Sequence, residues 1–133
     1  MNLTNEETPA SPLVSIVDDD PSVRNSARRL LRSSGLQAEA FASGDDFLQS
    51  EFIEKTDCLL LDVYMPGMDG LELQRRLRES GHRIPIVFLS AKASEEEERR
   101  AMQAGAAAFL HKPARTESLL EAIREAIAGR EDE

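Results

Sequence analysis

The sequence predicts an α/β domain in which five strands alternate with five helices around a parallel sheet. Two observations carry this expectation. Short apolar runs recur along the chain, and after each one apolar residues return every three or four positions. Alternation of that kind, with no internal repeat and no low-complexity segment, places helices on both faces of one parallel sheet.

The elements follow in order. Met1 to Pro12 is polar and acidic and reads as a flexible N-terminal tail. Leu13 to Val17 is an apolar run of the kind buried on both faces, and it ends in acids. Asp20-Pro21 has the form of an N-cap followed by a first-turn proline. Val23, Ala27, Leu30, Leu31 and Ser34 then make one helix face, closed by Gly35. Gln37 to Phe41 predicts the second strand, with Ser43 capping a short helix through Gln49. Cys58 to Leu61 predicts the third, again ending in an acid, Asp62. Pro66, Gly67 and Gly70 mark the following loop, and Leu73 and Leu77 face inward on a helix ending near Gly81. Ile84 to Leu89 predicts the fourth strand. Ser94 and Glu97 form a capping box for a helix that carries Ala101 and Met102 and stops at Gly105. Ala106 to Leu110 predicts the fifth strand. Leu119, Leu120, Ile123 and Ile127 line the last helix, which Gly129 is expected to stop, leaving residues 130–133 as an acidic C-terminal tail. One domain thus spans residues 13–129.

Composition narrows the function classes. At 133 residues, 41% hydrophobic and 31% charged, the chain has the make-up of a soluble globular domain. No run approaches the roughly 20 apolar residues that span a bilayer, and the N-terminus lacks the basic and apolar regions of a signal peptide. The expectation is a cytoplasmic protein without membrane contact. A net charge of −9 argues against direct binding to nucleic acid. Cys58, the only cysteine, excludes an intramolecular disulfide and reads as a small buried hydrophobe.

The chemistry concentrates at one edge. Ligands of open parallel sheets bind beyond the carboxyl ends of the strands. There this sequence places Asp18, Asp19 and Asp20, then Asp62, then Ser90, then His111-Lys112-Pro113. Taken singly, each is unremarkable: Asp20 is explained as a helix cap, Ser90 as a turn residue and Lys112 as a surface charge. Capping can use only one of three consecutive acids, so the conjunction points to a site. Two carboxylates about 4 Å apart repel by roughly 4 kcal/mol at an effective dielectric near 20. A hard dication with oxygen ligands relieves this, and Mg²⁺ accepts one or two carboxylates together with waters and phosphate oxygens. A carboxylate, a dication, an ammonium and a hydroxyl around one point suit phosphoryl transfer to an aspartyl nucleophile.

The strings VDDD at 17–20, LLLDVYMPGMDG at 59–70, FLSA at 88–91 and FLHKP at 109–113 closely resemble the receiver domains of two-component response regulators. The resemblance covers the whole globular chain, in order. It implies the flavodoxin-like (βα)5 three-layer sandwich with strand order 2-1-3-4-5, and phosphorelay signalling as the function. A histidine kinase or phosphotransfer protein would supply the phosphoryl group, and Mg²⁺ or Mn²⁺ would be the cofactor. Residue by residue, it makes Asp62 the phosphoacceptor. Asp19 becomes a direct metal ligand, Asp18 one through water, and Asp62 and the backbone carbonyl of Tyr64 complete the protein ligands. Lys112 pairs with the phosphoryl group, and Lys112-Pro113 is expected to be cis. Ser90 hydrogen-bonds the phosphoryl oxygen, and Phe109 is the aromatic that turns inward on phosphorylation. Tyr64 and Lys92 hold positions that tune phosphoryl lifetime in the family; equally, both side chains could simply face solvent.

Further readings are secondary. Arg24, Arg28 and Arg32 form a stripe read first as solvated and alternatively as a kinase-docking face. Glu95 to Glu98 read as a solvated first turn that complements the helix dipole. His82 is expected to be exposed and His111 to sit at the rim of the site. A homodimer through the fourth helix, fifth strand and fifth helix is a further expectation. Such a chain is a switch that catalyses only its own phosphorylation and dephosphorylation, not an enzyme with a diffusible substrate. Two rival readings fit less well. A haloacid-dehalogenase-like aspartyl-phosphate phosphatase wants its nucleophile on strand one in a D-x-D-x-T context, which Asp18-Asp19-Asp20-Pro21 does not supply. A binding-only pseudo-receiver is opposed by the intact set of Asp18, Asp19, Asp62, Ser90 and Lys112.

Overall fold

The computed structural model describes residues 11–131. Its five strands are β1 (Leu13–Val17), β2 (Gln37–Phe41), β3 (Cys58–Leu61), β4 (Ile86–Ser90) and β5 (Ala108–His111). The helices are α1 (Pro21–Ser33), α2 (Gly44–Leu48), α3 (Gly70–Glu79), α4 (Glu95–Gln103) and α5 (Thr116–Glu131). All strand pairs are parallel and the sheet order is β2-β1-β3-β4-β5, as expected.

The period-2 geometry of the strands splits the core into two layers. Val14, Ile16, Leu60, Val87 and Leu89 pack against Ala27 and Leu31 of α1 and Leu119, Ile123 and Ile127 of α5. Val17, Leu59, Leu61, Ile86 and Phe88 face the other way, onto Phe47 of α2, Leu73 and Leu77 of α3 and Ala101 of α4. Cys58 is fully buried, and that burial pushes its thiol up to about 12, so it is an inert core residue.

Several boundaries depart from expectation. β4 begins at Ile86, not Ile84, because Pro85 has no N–H to donate; its carbonyl instead accepts from Leu59 N–H at 2.9 Å. β5 runs over Ala108–His111 and not Ala106–Leu110, because Ala106 N–H still closes the end of α4 on Ala101 O. Met102 on α4 is 42% exposed; only Ala101 of that helix is buried. Gly129 does not stop the last helix, which continues to Glu131. Arg130 explains the extension, since its Nη1 donates to Thr56 O at 2.6 Å and lies 3.7 Å from Asp57 Oδ1. The domain therefore includes Arg130 and Glu131, which the expected C-terminal tail had excluded. At the other end Pro12 O accepts from Gln37 N–H, and Ser11 O from Gln37 Nε2, so these two belong to the folded unit. The remainder of both expected tails, residues 1–10 and 132–133, lies outside the described residues.

The stripe on α1 is not simply solvated. Arg24 Nη1 donates to Asp18 O and Arg32 Nη2 to Ala38 O, each at 2.9 Å, while Arg28 bonds Asn25 Oδ1. His82 is half-buried, not exposed, with Nδ1 3.1 Å from Glu54 Oε1. A 3-10 turn at Ile53–Lys55 and the Asp69 cap of α3 were not anticipated. Among the described residues no helix is long and apolar enough to cross a membrane.

Gly70 fixes the distance between α3 and the end of β3. Its N–H donates to Val63 O at 2.8 Å, and a Cβ there would fall 2.2 Å from Asp62 O. Nothing lies within 4 Å of a Cβ at Gly129. The two glycines therefore give opposite predictions in urea unfolding. Gly70→Ala should destabilise by about 2–4 kcal/mol through the backbone clash. Gly129→Ala should stabilise by roughly 0.5–1 kcal/mol, the ordinary helix-interior difference.

Candidate phosphoryl-transfer site

The sheet brings its charged residues together at the C-terminal edge. Asp18 follows β1 and its N–H donates to Phe41 O at 3.2 Å; Asp62 follows β3 and its N–H donates to Val17 O at 3.1 Å. These bonds continue the strand ladders by one residue and hold the two acids at adjacent strand ends. One carboxylate oxygen from each of Asp18, Asp19 and Asp62 lies within 4.8 Å of the others. Asp18 and Asp62 are 4% and 8% exposed, whereas Asp19 faces solvent.

Lys112 reaches the same point from the end of β5. Its Nζ lies 2.9 Å from Asp18 Oδ2 and 3.3 Å from Asp62 Oδ2. Its backbone N–H donates to Ser90 O at 3.0 Å, and the Lys112-Pro113 bond is cis, as expected. Burial raises the Asp18 carboxyl above its ordinary value, and the Asp20 N–H at 2.9 Å and Lys112 only partly offset this. Burial alone would lower the Lys112 ammonium, but the hydrogen bond to Asp18 and the charges of both acids carry it upward.

The three carboxylates divide the work unequally. Asp18 Oδ1 accepts from Asp20 N–H and Oδ2 from Lys112, so both its oxygens are engaged. No described residue donates to the Asp19 carboxylate. Asp19 therefore has the free oxygens that a direct ligand needs, with Asp18 held behind it. Hard carboxylate oxygens in a cluster of net charge −2, three acids against one ammonium, fit a single oxygen-loving dication. Asp20 is confirmed as the α1 cap, accepting from Ser22 N–H at 2.9 Å.

Ser90 gives the second mark of a ligand site. It is fully buried at the end of β4, and its Oγ has no hydrogen-bond partner. A buried hydroxyl without a partner is uncommon and costs free energy unless something else satisfies it.

The surrounding residues form a partly ordered rim. Phe109 is half-buried, stacked on Phe88 with ring centroids 5.4 Å apart and tilted 5.3 Å from His111. His111 Nε2 lies 2.8 Å from Glu98 Oε1 on α4, at the rim as expected. Lys92 is exposed. Tyr64 is 47% exposed, yet its hydroxyl donates to Glu97 Oε1, so it is not loose in solvent. That bond raises the Tyr64 phenol and lowers the Glu97 carboxyl from their ordinary values. Sequence reasoning saw Glu97 only as a cap; a contact between residues 33 positions apart leaves no local signal.

The family model of the response regulator receiver domain matches residues 14–124. The chain belongs to that family. The receiver is 44% identical over 115 residues to the response regulator protein TodT of Pseudomonas putida, covering 86% of this chain and 51% of TodT. It superimposes on the response regulator StyR with a TM-score of 0.84 at 44% identity, covering 92% of this chain and 64% of that one. FixJ-N gives a TM-score of 0.80 at 32% identity over 89% of this chain and 94% of that one. The receiver spans about half the length of the curated relatives it matches, 51% in the case of TodT.

Two outcomes follow from the electrostatics. In metal-free solution the folded state binds a proton at Asp18 more tightly than the unfolded chain does. The stability that this one group contributes should therefore be present in full below 3.8, fall as pH rises through the raised value, and be absent above it. Asp18→Asn keeps an acceptor for Asp20 N–H and cannot ionise, so at pH 7 in EDTA it should unfold at higher urea than wild type, with the gain vanishing below pH 3.8. Asp19→Ala should lower Mg²⁺ affinity at least about tenfold by calorimetric titration, the usual scale for losing a charged ligand.

Proposed function

We propose that Asp62 accepts a phosphoryl group from a histidine kinase or phosphotransfer protein in a reaction that requires Mg²⁺ or Mn²⁺. The carrying observation is the pairing of a buried Asp62, within reach of Lys112, with the unpartnered Oγ of buried Ser90 on the next strand.

An oxygen of Asp62 attacks the phosphorus of the donor phosphohistidine. The P–N bond breaks, and the imidazole leaves with the electron pair and takes up a proton. Asp18, Asp19, Asp62 and the Tyr64 carbonyl would hold the cation, which when bound screens the carboxylates from the incoming phosphoryl oxygens. Lys112 lies between Asp18 and Asp62 and follows the transferred group, exchanging a carboxylate contact for a phosphoryl oxygen. Ser90 donates the hydrogen bond that its hydroxyl lacks at rest. Hydrolysis reverses the acyl phosphate: water attacks phosphorus, the P–O bond to Asp62 breaks, and the carboxylate returns. The chain thereby catalyses its own phosphorylation and dephosphorylation and no other reaction. Tyr64 and Lys92 border the site and set how long the phosphoryl group survives.

Movement of Ser90 toward the phosphoryl group vacates space beside β4, and Phe109 turns into it. The face formed by α4, β5 and α5 changes shape and serves as the readout surface, including self-association, while α1 is the docking face for the donor. The domain resides in the cytoplasm and does not itself contact nucleic acid.

With Mg²⁺ and acetyl phosphate, mass spectrometry should show one added phosphoryl group in wild type and none in Asp62→Asn. Ser90→Ala should still be labelled but lose most of the amide-shift response along residues 90–127. Labelling of Asp62→Asn equal to wild type would remove the acceptor assignment.

A further inference from the structure

The contact between Tyr64 and Glu97 joins the loop that follows Asp62 to the first turn of α4, which follows Ser90. Tyr64 stands two residues after Asp62, and its backbone N–H faces Asp62 Oδ1 at 3.4 Å. Glu97 is in the first turn of α4, and its Oε1 accepts from the Tyr64 hydroxyl and from Ser94 N–H at 2.9 Å. One carboxylate oxygen therefore closes the α4 capping box and ties that helix to the loop carrying the acceptor. Only residues 91–94 separate Ser90 from α4.

We propose that the Tyr64–Glu97 hydrogen bond is a latch that stabilises the resting position of α4 and opens when Asp62 is charged. This rests on Asp62 being the acceptor. The Ser90 hydroxyl has no partner at rest, and on the proposed function it moves toward the group on Asp62 to gain one. That movement draws the short 91–94 link, and with it Glu97, relative to Tyr64, which stays with the Asp62 loop. An O–H···O bond spans only about 2.5–3.0 Å, so a shift of one ångström breaks it. α4 is the element such a bond can control, because it buries a single residue, Ala101. Coupling is reciprocal: a bond released by charging Asp62 must, when deleted, make that charging easier by the same factor.

Tyr64 is the only tyrosine and the chain has no tryptophan, so tyrosine emission comes from this side chain alone. The test is titration of the whole chain with beryllofluoride in Mg²⁺. Wild-type Tyr64 emission should rise on saturation, as the phenol leaves a quenching carboxylate. Tyr64→Phe, followed by amide shifts of residues 95–103, should bind beryllofluoride about two- to tenfold more tightly, the range for one net hydrogen bond. Ser94→Ala weakens the α4 cap without removing the latch and should show no such gain. Unchanged emission at saturation, or an affinity of Tyr64→Phe equal to or below wild type, overturns the latch while leaving the acceptor in place. Beryllofluoride binding by Asp62→Asn equal to wild type would instead remove the acceptor, and the latch with it.

Discussion

Lys112 is the counterion on which this site depends. Asp18 and Asp62 are almost wholly buried at adjacent strand ends, with carboxylate oxygens within 4.8 Å of each other. At that separation two negative charges repel by about 3–4 kcal/mol at an effective dielectric near 20. Lys112 touches both, at 2.9 and 3.3 Å, and so sets one positive charge against the pair. In the sheet order β4 lies between β3 and β5, so the Lys112 side chain crosses the end of β4 to reach Asp62 and then Asp18 on β1. One ammonium thereby links residues 94 and 50 positions away and closes the catalytic edge of the sheet.

The same arrangement leaves the site unbalanced on purpose of its chemistry. Three carboxylates against one ammonium carry a net −2, and burial holds the Asp18 carboxyl above its ordinary value. On the proposed function a dication would cancel that charge, and an arriving phosphoryl group would then meet Lys112 and the Ser90 hydroxyl instead of bare acids. The resting fold carries the repulsion of the acids and an unpaired buried hydroxyl, and the proposed ligands would relieve both. Stability is given up at the site that has to react, which is a common compromise in functional proteins.

Most of this was readable from the chain. Alternating runs mark the five strands, and the sheet rule alone collects Asp18, Asp19, Asp62, Ser90 and Lys112 at one edge. Failures occurred where a tertiary contact overrode local propensity. Gly129 looks like a helix stop, yet Arg130 reaches Thr56 O and carries α5 onward. Ile84 looks like strand, yet Pro85 delays the ladder by two residues. Arg24 and Arg32 look solvated, yet strand-end carbonyls need donors. Tyr64–Glu97 and the close approach of Gly70 to Asp62 depend on how loops meet, which no periodicity encodes.

The uneven anchoring of the helices explains how a charge at Asp62 can have a remote effect. α3 buries Gly70, Leu73, Gln74 and Leu77, and α1 buries Ala27 and Leu31. α4 buries Ala101 alone and is otherwise held by polar contacts: Gln74 to Ala101 O, Arg78 to Ala104 O, Glu98 to His111 and Glu97 to Tyr64. Burial of apolar area is insensitive to a nearby charge, whereas each of these polar contacts has a partner that can move or be replaced by water at a net change of about 1 kcal/mol. Two of them, through Tyr64 and His111, lead directly to residues beside the acceptor and beside Lys112. An element with little apolar anchoring and polar ties to the site is the part of the fold that, on the proposed function, a single phosphoryl group would have enough free energy to displace.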